Sequence, residues 1–261
     1  MPRHEIFCTA EFKSLLQSNA LADFDSLWGL EAQWVEEPNV RRGGWSGVVR
    51  HKLLLDNGEE TEVYIKRQEG HISKTFAHPL KGILTLKKEF ANIQRLIRYD
   101  IPTLDPVYFG YSGNRAILVT LGLSEHSSLD QIDPTSLCGT ERQKLIYRIA
   151  DTLQRMHKRH LQHNCLYPKH IFVKMQDDDW NVRIIDLEKM KQTAFKKNAV
   201  YRDMSTLSRH SNPHWTTRDK VAFLKYYFNE TNLSNEAKKI WHCIASQPKS
   251  KRKLQQKHSP L

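Results

Sequence analysis

Hydrophobic positions change period part-way along this chain, and the change divides it. Residues 10–31 space Phe12, Leu15, Leu16, Leu21, Phe24, Leu27 and Leu30 as short helices do. From Trp34 the apolar residues come instead in short β-favouring runs at 34–35, 48–49, 53–55 and 63–65. Asp56-Asn57-Gly58 is a hairpin turn signal between the last two. These runs predict an antiparallel sheet of at least three strands. A 3.6-residue period returns at 84–99, where Leu86, Phe90, Ile93, Leu96 and Ile97 share one side of a helix. Two more strands follow at 107–111 and 116–120, with Gly110 and Gly113 marking their turn, and 121–139 reads as loop.

The second half is mostly helical. Thr140 and Gln143 form a capping-box signature for a helix reaching about residue 160, with Leu145, Ile149, Leu153 and Met156 as its apolar side. A hairpin interrupts at 171–175 and 180–185, and Thr216 and Ser234 cap two further helices. The pattern predicts an α+β, bilobal chain in four parts: a helical extension (1–33), a sheet-rich lobe (34–121), a mainly helical lobe (122–246) and a basic, disordered tail (247–261). A cleft between lobes is a preferred ligand site.

Composition narrows the class. The 261 residues are 39% hydrophobic and 26% charged, ordinary for a globular protein. The longest apolar stretch, 116–123, is already broken by Thr120 and Gly122, far short of the ~20 residues of a spanning helix. The first residues hold no apolar run of signal-peptide length, and Cys8, Cys138, Cys165 and Cys243 show no regular spacing. A cytoplasmic location with reduced thiols is expected. The net charge of +11 suggests an anionic partner. Five of those positive charges, Lys249, Lys251, Arg252, Lys253 and Lys257, sit in the tail, so the fold itself is only moderately basic.

Five features carry candidate chemistry. Arg41-Arg42-Gly43-Gly44-Trp45-Ser46-Gly47 offers backbone N–H groups to an anion, or is simply a tight hairpin. Lys66 ends a strand on the face opposite Val63 and Ile65. Glu89 falls inside the apolar arc of its helix, while Lys87 and Lys88 fall outside; a carboxylate there either needs a buried partner, for which Lys66 is the natural candidate, or sits at an exposed edge. His163-Asn164-Cys165-Leu166-Tyr167-Pro168-Lys169-His170 links the long helix to the hairpin, and Asp186 stands just past the hairpin's second strand.

In that order the five features resemble the protein-kinase-like fold. The wording resembles the bacterial lipopolysaccharide kinases, the Kdo and heptose kinases, and within them the acid-inducible InaA branch. The matching phrases are Trp34-Val35-Glu36-Glu37-Pro38-Asn39, Arg41-Arg42-Gly43, Ser46-Gly47-Val48, Tyr64-Ile65-Lys66-Arg67, Tyr167-Pro168-Lys169-His170-Ile171 and Ile185-Asp186-Leu187-Glu188-Lys189. The resemblance implies transfer of the ATP γ-phosphoryl group to a sugar hydroxyl of the lipopolysaccharide inner core. It implies that Gly43, Gly44 and Gly47 lie over the phosphates. Lys66, positioned by Glu89, holds them, and Asp186 and His170 bind Mg²⁺. It implies that His163 leads the catalytic loop and that Asp203 braces that loop, the alternative for Asp203 being a surface helix acid.

One position departs from that pattern. Active members carry aspartate, the base for the incoming hydroxyl, where this chain has Cys165. Loss of such a base costs ~10²–10⁴-fold in rate. An active kinase and a nucleotide-binding pseudokinase serving as sensor or scaffold in a stress or acid response therefore both stand. An electrostatic binder of membrane or RNA is a third reading. Arg67, Lys74, Lys81 and the tail are candidate contacts to the anionic inner membrane. Nucleic acid is a minor reading, since no recognition signature interleaves aromatics with the basic residues. Zinc at His157, His160 and His163 is another, without an accompanying metal motif.

Overall fold

The computed structural model describes residues 3–41, 43–74, 78 and 80–245; Arg42 and the basic tail lie outside them. The chain forms two compact units. The first comprises Met1–Ser127, Phe172–Lys174 and Val182–Lys191. The second comprises Ser128–Ile171, Met175–Asn181 and the chain from Gln192 onward.

In chain order the first half runs β1 (Arg3–Cys8), α1 (Ala10–Ser18), α2 (Phe24–Gly29), β2 (Trp34–Arg41), β3 (Gly44–Leu54) and β4 (Glu60–Glu69). A two-residue ladder of β5 (Ile72–Ser73) and β6 (Ile83–Leu84), then α3 (Thr85–Arg98), β7 (Pro106–Ser112) and β8 (Arg115–Leu121) complete it. Six strands form one antiparallel sheet ordered β1-β7-β8-β4-β3-β2. The runs at 48–49 and 53–55 are not separate strands. β3 pairs with β4 without a break from Trp45↔Glu69 to Leu54↔Glu60, because the polar residues between the runs occupy alternate positions of a single ladder. Gly58 turns that hairpin at φ +82°.

Helices α1 and α2 fall within the stretch expected to be helical, and Leu16, Leu21, Phe24 and Leu27 pack with Val49, Leu53, Val63, Ile65, Val107 and Val119 in one core. β1, at the sheet edge, was not foreseen. Gly110 lies inside β7, where an added Cβ would meet the Tyr108 ring, so only Gly113, at φ +59°, makes the turn. α3 follows the expected wheel except at Ile97, which is exposed.

The second half runs β9 (Ser127–Ser128), α4 (Gly139–Lys158), β10 (Leu161–Gln162), β11 (Ile171–Gln176), β12 (Asp179–Ile184), β13 (Lys191–Gln192), α5 (Lys196–His210), α6 (Thr217–Phe228) and α7 (Asn235–Ala245). The capping box of α4 is Cys138 with Glu141, two residues before the expected pair. The helix begins at Gly139, so Thr140 and Gln143 are already inside it. Leu145, Ile149, Leu153 and Met156 are buried as expected, and Thr216 caps α6 in a capping box. Helix α5 begins at Lys196, with Lys196, Lys197 and Asn198 exposed in its first turn.

The β11–β12 turn is narrower than expected, with only Asp177 and Asp178 in the left-handed region, at φ +50° and +60°. Asp179 is paired, held by Arg148 of α4 through two nitrogens. That hydrogen bonding pulls the Asp179 carboxyl down to about 2 from its ordinary 3.8. A depressed carboxylate adds stability that is complete above the unfolded value and fades as pH falls through the folded one. Asp179→Asn should therefore flatten the acid side of the stability curve between about pH 4 and 2, measured by urea unfolding at each pH.

Candidate functional site

In β4, side chains alternate, so Ile65 and Arg67 face one way and Lys66 and Gln68 the other. Lys66 Nζ lies 2.8 Å from Glu89 Oε2 of α3, with the lysine side chain 21% exposed and the glutamate 4%. Burial alone would lower the Lys66 ammonium pKa. The Glu89 and Asp186 carboxylates outweigh it and hold the group above the ordinary lysine value. Burial pushes the Glu89 carboxyl up, against the pull of Lys66. The lysine thus stays cationic at neutral pH, and the arrangement offers a fixed positive charge to an anion.

Two residues that sequence reasoning passed over fix this pair. Gln68, fully buried, accepts from Leu86 N–H at 2.7 Å and donates to the His71 carbonyl at 2.9 Å. No side chain within α3 caps its start, so Gln68 satisfies one of its first N–H groups from the strand that carries Lys66. Asn92, one turn after Glu89, donates to the carbonyls of Leu187 and Met190 at 2.8 and 3.0 Å. It thereby ties the segment after Asp186 to the helix that carries Glu89. On the other side, Ile184 N–H donates to Pro102 O, and Thr103 Oγ1 donates to Ile184 O. Asp186 sits between these anchors in the left-handed region, φ +58°, a costly conformation for a residue other than glycine. The wheel that singled out Glu89 also places Asn92 on the buried side.

The glycine turn is a tight hairpin, Arg41 pairing with Gly44. A Cβ on Gly44 would lie 2.3–2.5 Å from the backbone of Glu69 to His71, and one on Gly47 2.6 Å from the Trp34 ring. Those two glycines are required by the chain itself. Gly43, at φ +78° with nothing within 4 Å, is required by its backbone conformation alone. Arg67 is not a surface cation. It is 6% exposed, donates to the Trp28 and Leu30 carbonyls and lies over the Trp34 ring; Lys74 and Lys81 are exposed.

In the second unit, Asp203 of α5 is fully buried and organises the histidine loop. It accepts from His163 N–H at 2.7 Å, Asn164 N–H at 2.9 Å and His157 Nε2 at 3.2 Å. The surface alternative for Asp203 is therefore excluded. His157 Nδ1 lies 2.9 Å from the Tyr227 hydroxyl, whose pKa is pushed up by burial first and then by the Glu236 and Asp203 charges. The neutral phenol donates to Nδ1, and Nε2–H donates to Asp203. Both nitrogens of His157 are thus engaged, which removes it as a zinc ligand. Tyr227 had no signal in the sequence, since its role depends on a helix packed 70 residues away.

Cys165 N–H donates to His163 Nδ1 at 3.3 Å, and the Cys165 carbonyl accepts from His170 Nδ1 at 2.8 Å. A carbonyl only accepts, so this bond puts a proton on His170 Nδ1. The His163 and His170 rings stack at 6.0 Å. The structure thus groups Lys66, Glu89 and the Asp186 charge in the first unit, and His163, Cys165 and His170 in the second. Among the described residues no three His, Cys, Asp or Glu side chains could hold a metal ion by themselves.

The sequence model of the Lipopolysaccharide kinase (Kdo/WaaP) family matches residues 25–227. Protein InaA of Escherichia coli (strain K12) is 29% identical over 202 residues, 73% of this chain and 89% of that protein. A solved structure of WaaP in complex with acyl carrier protein superimposes with a TM-score of 0.65 at 20% identity, covering 93% of this chain and 92% of that one. An aminoglycoside-3′-phosphotransferase of type VIII does so at 0.51 and 13% identity, covering 91% and 99%. Those two likenesses are of fold, and they make it protein-kinase-like.

Two outcomes test the geometry. Gly44→Ala should destabilise the ligand-free protein by about 1–3 kcal/mol through overpacking against backbone, and Gly43→Ala by about 1 kcal/mol through its positive φ; urea unfolding measures both. Asp203→Ala strips two buried loop N–H groups of their acceptor. It should lower stability by at least about 2 kcal/mol and speed thiol labelling at Cys165, read by peptide mass spectrometry. Unchanged Cys165 labelling would mean that Asp203 does not hold the loop.

Proposed function

This chain belongs to the lipopolysaccharide kinase (Kdo/WaaP) family, and from that premise we propose that it binds ATP with Mg²⁺ and passes the γ-phosphoryl group to a sugar hydroxyl of the lipopolysaccharide inner core. The observation that carries the reading is the buried Lys66–Glu89 pair under the charge of Asp186. A lysine fixed by a carboxylate from the neighbouring helix is what the α- and β-phosphates of a nucleotide require. Bound there, Mg²⁺ would supply neutralisation of the phosphate charge.

In this reading Lys66 holds the phosphates, and Gly43 with the N–H groups of its turn covers them. Asp186 and His170 would hold the metal, the first through its carboxylate and the second through its imidazole. Asp203 fixes the backbone of His163 and Asn164, which positions residue 165 for the acceptor. Phosphoryl transfer relies mainly on positioning and charge stabilisation, so a scaffold of this kind retains part of its rate without a base.

Cys165 favours a second reading. A thiol of ordinary pKa near ~8.5 is mostly protonated at neutral pH and takes a proton poorly from a sugar hydroxyl. The loop around it is nonetheless fully bonded. This suits a pseudokinase that binds nucleotide and signals through partners in a stress or acid response. A partner of acyl-carrier-protein type is one class to test, because the WaaP relative was solved with one.

Two measurements decide. Mg-ATP should raise the melting temperature; at 100 times Kd the stabilisation is about 2.7 kcal/mol. Lys66→Ala should weaken binding, and Asp186→Ala should remove most of the metal dependence. A melting curve indifferent to millimolar Mg-ATP would overturn the nucleotide site. Cys165→Asp should raise phosphoryl transfer to purified lipopolysaccharide core by ~10²-fold or more. Tight ATP binding with no transfer in either form selects the pseudokinase.

A further inference from the structure

The second unit carries one face whose charge and apolar exposure no role above uses. The sequence holds no acid from Thr152 to Gln176 and none from Lys189 to Arg202. The fold joins parts of these two stretches through the Thr193 N–H, which donates to His160 O at 2.8 Å. Lys158, Arg159 and His160 at the end of α4 are exposed, as are Lys196, Lys197 and Arg202 of α5. At the start of α5 stands Phe195, 69% exposed, and Tyr201, 41% exposed, follows Lys197 by one turn. Phe195 is not loosely held: Thr193 Oγ1 donates to its carbonyl at 2.7 Å, and Asn198 N–H also donates to that carbonyl, at 3.1 Å. The backbone therefore fixes an aromatic ring in water beside two lysines.

A merely solvated basic face has no use for that ring. An interface of anionic headgroups over hydrocarbon accommodates both parts, the cations in the headgroup layer and the phenyl ring below it. We propose that the face formed by Lys158, Arg159, Phe195, Lys196, Lys197, Tyr201 and Arg202 docks on an anionic phospholipid surface. The proposal draws on family membership in one respect: a lipopolysaccharide acceptor is an anionic amphiphile. It does not depend on catalysis, and nucleotide binding is measured separately.

The face differs from the membrane contacts that the sequence suggested. Arg67 is buried, and Lys74 and Lys81 belong to the other unit. No helix among the described residues is long and apolar enough to cross a membrane, so docking would be peripheral.

The test compares full-length variants by co-sedimentation with phosphatidylglycerol-containing vesicles and with pure phosphatidylcholine vesicles. The tail is common to all variants and drops out of the differences. Binding should be selective for the anionic vesicles and weaken as salt rises. Lys196→Gln with Lys197→Gln should lower the partition coefficient about 20–30-fold, from about fivefold per charge. Phe195→Ser should lower it about tenfold, by removing the buried ring. Lys74→Gln with Lys81→Gln, the same charge change elsewhere, should lower it less than about threefold. Equal losses in the two double variants would mean that net charge alone acts, and the face would be withdrawn. Unchanged vesicle binding by the Lys196/Lys197 and Phe195 variants, with a loss of single-stranded RNA binding instead, would assign the face to nucleic acid and equally overturn the proposal.

Discussion

A glutamate carboxylate that is 4% exposed cannot stay ionised without a cation beside it, and Lys66 is that cation. The pair joins the centre of the sheet to α3, so strand and helix must both be in register before either charge is satisfied. Removing one partner would leave the other buried and uncompensated, at a cost of roughly 3–5 kcal/mol. The surrounding polar groups serve the same register. Gln68, two residues along β4, bonds the first turn of α3, and Asn92, one turn beyond Glu89, bonds the segment that follows Asp186. Lysine, glutamate and aspartate are thus positioned by three elements, and each bond between those elements comes from a residue next to the one it positions.

The second unit solves a comparable problem with one buried acid. A loop between a helix and a hairpin carries backbone N–H groups that helix and ladder leave unpaired, and Asp203 accepts two of them. Its remaining capacity takes the His157 proton, and His157 in turn takes the Tyr227 hydroxyl. Low local dielectric strengthens such a chain when every member is satisfied and penalises any gap. The loop conformation therefore depends on residues in α4, α5 and α6 that would never touch an acceptor.

Much of this was legible in the sequence, for identifiable reasons. Glu89 announced itself as an acid in an apolar arc, and Lys66 followed as its partner, because burial of charge is a strong constraint with few solutions. Strand and helix positions followed from period. Elements failed where a local rule met a competing one. The cap of α4 uses the thiol of Cys138, outside the usual capping alphabet, and Thr140 next to it imitated a cap. Gly110 looked like a turn residue, whereas Tyr108 folds back over it. Arg67 looked solvated because nothing in a strand's alternation reveals that two carbonyls of an earlier segment await it. Tyr227 was out of reach altogether, since its partner is set by tertiary packing alone.

The pattern of what is kept around Cys165 bears on how its substitution is understood. If the loop had lost its purpose with its carboxylate, the costly features around it would have no reason to persist. Asp186 would sit in the left-handed region at a cost with no return, and Asp203 would hold the loop for its fold alone. Both are present, and the backbone of residue 165 is held on each side, its N–H on His163 and its carbonyl on His170. The departure is thus confined to one side-chain group on an otherwise bonded scaffold. In the proposed reading, a site that only binds nucleotide calls on Lys66, Glu89 and Asp186 and places no demand on the backbone of residue 165. The bonds that hold that backbone are what separates the two readings physically. They favour a chain in which something still meets that position, whether a sugar hydroxyl awaiting a weak base or a group for which a thiol is the better match.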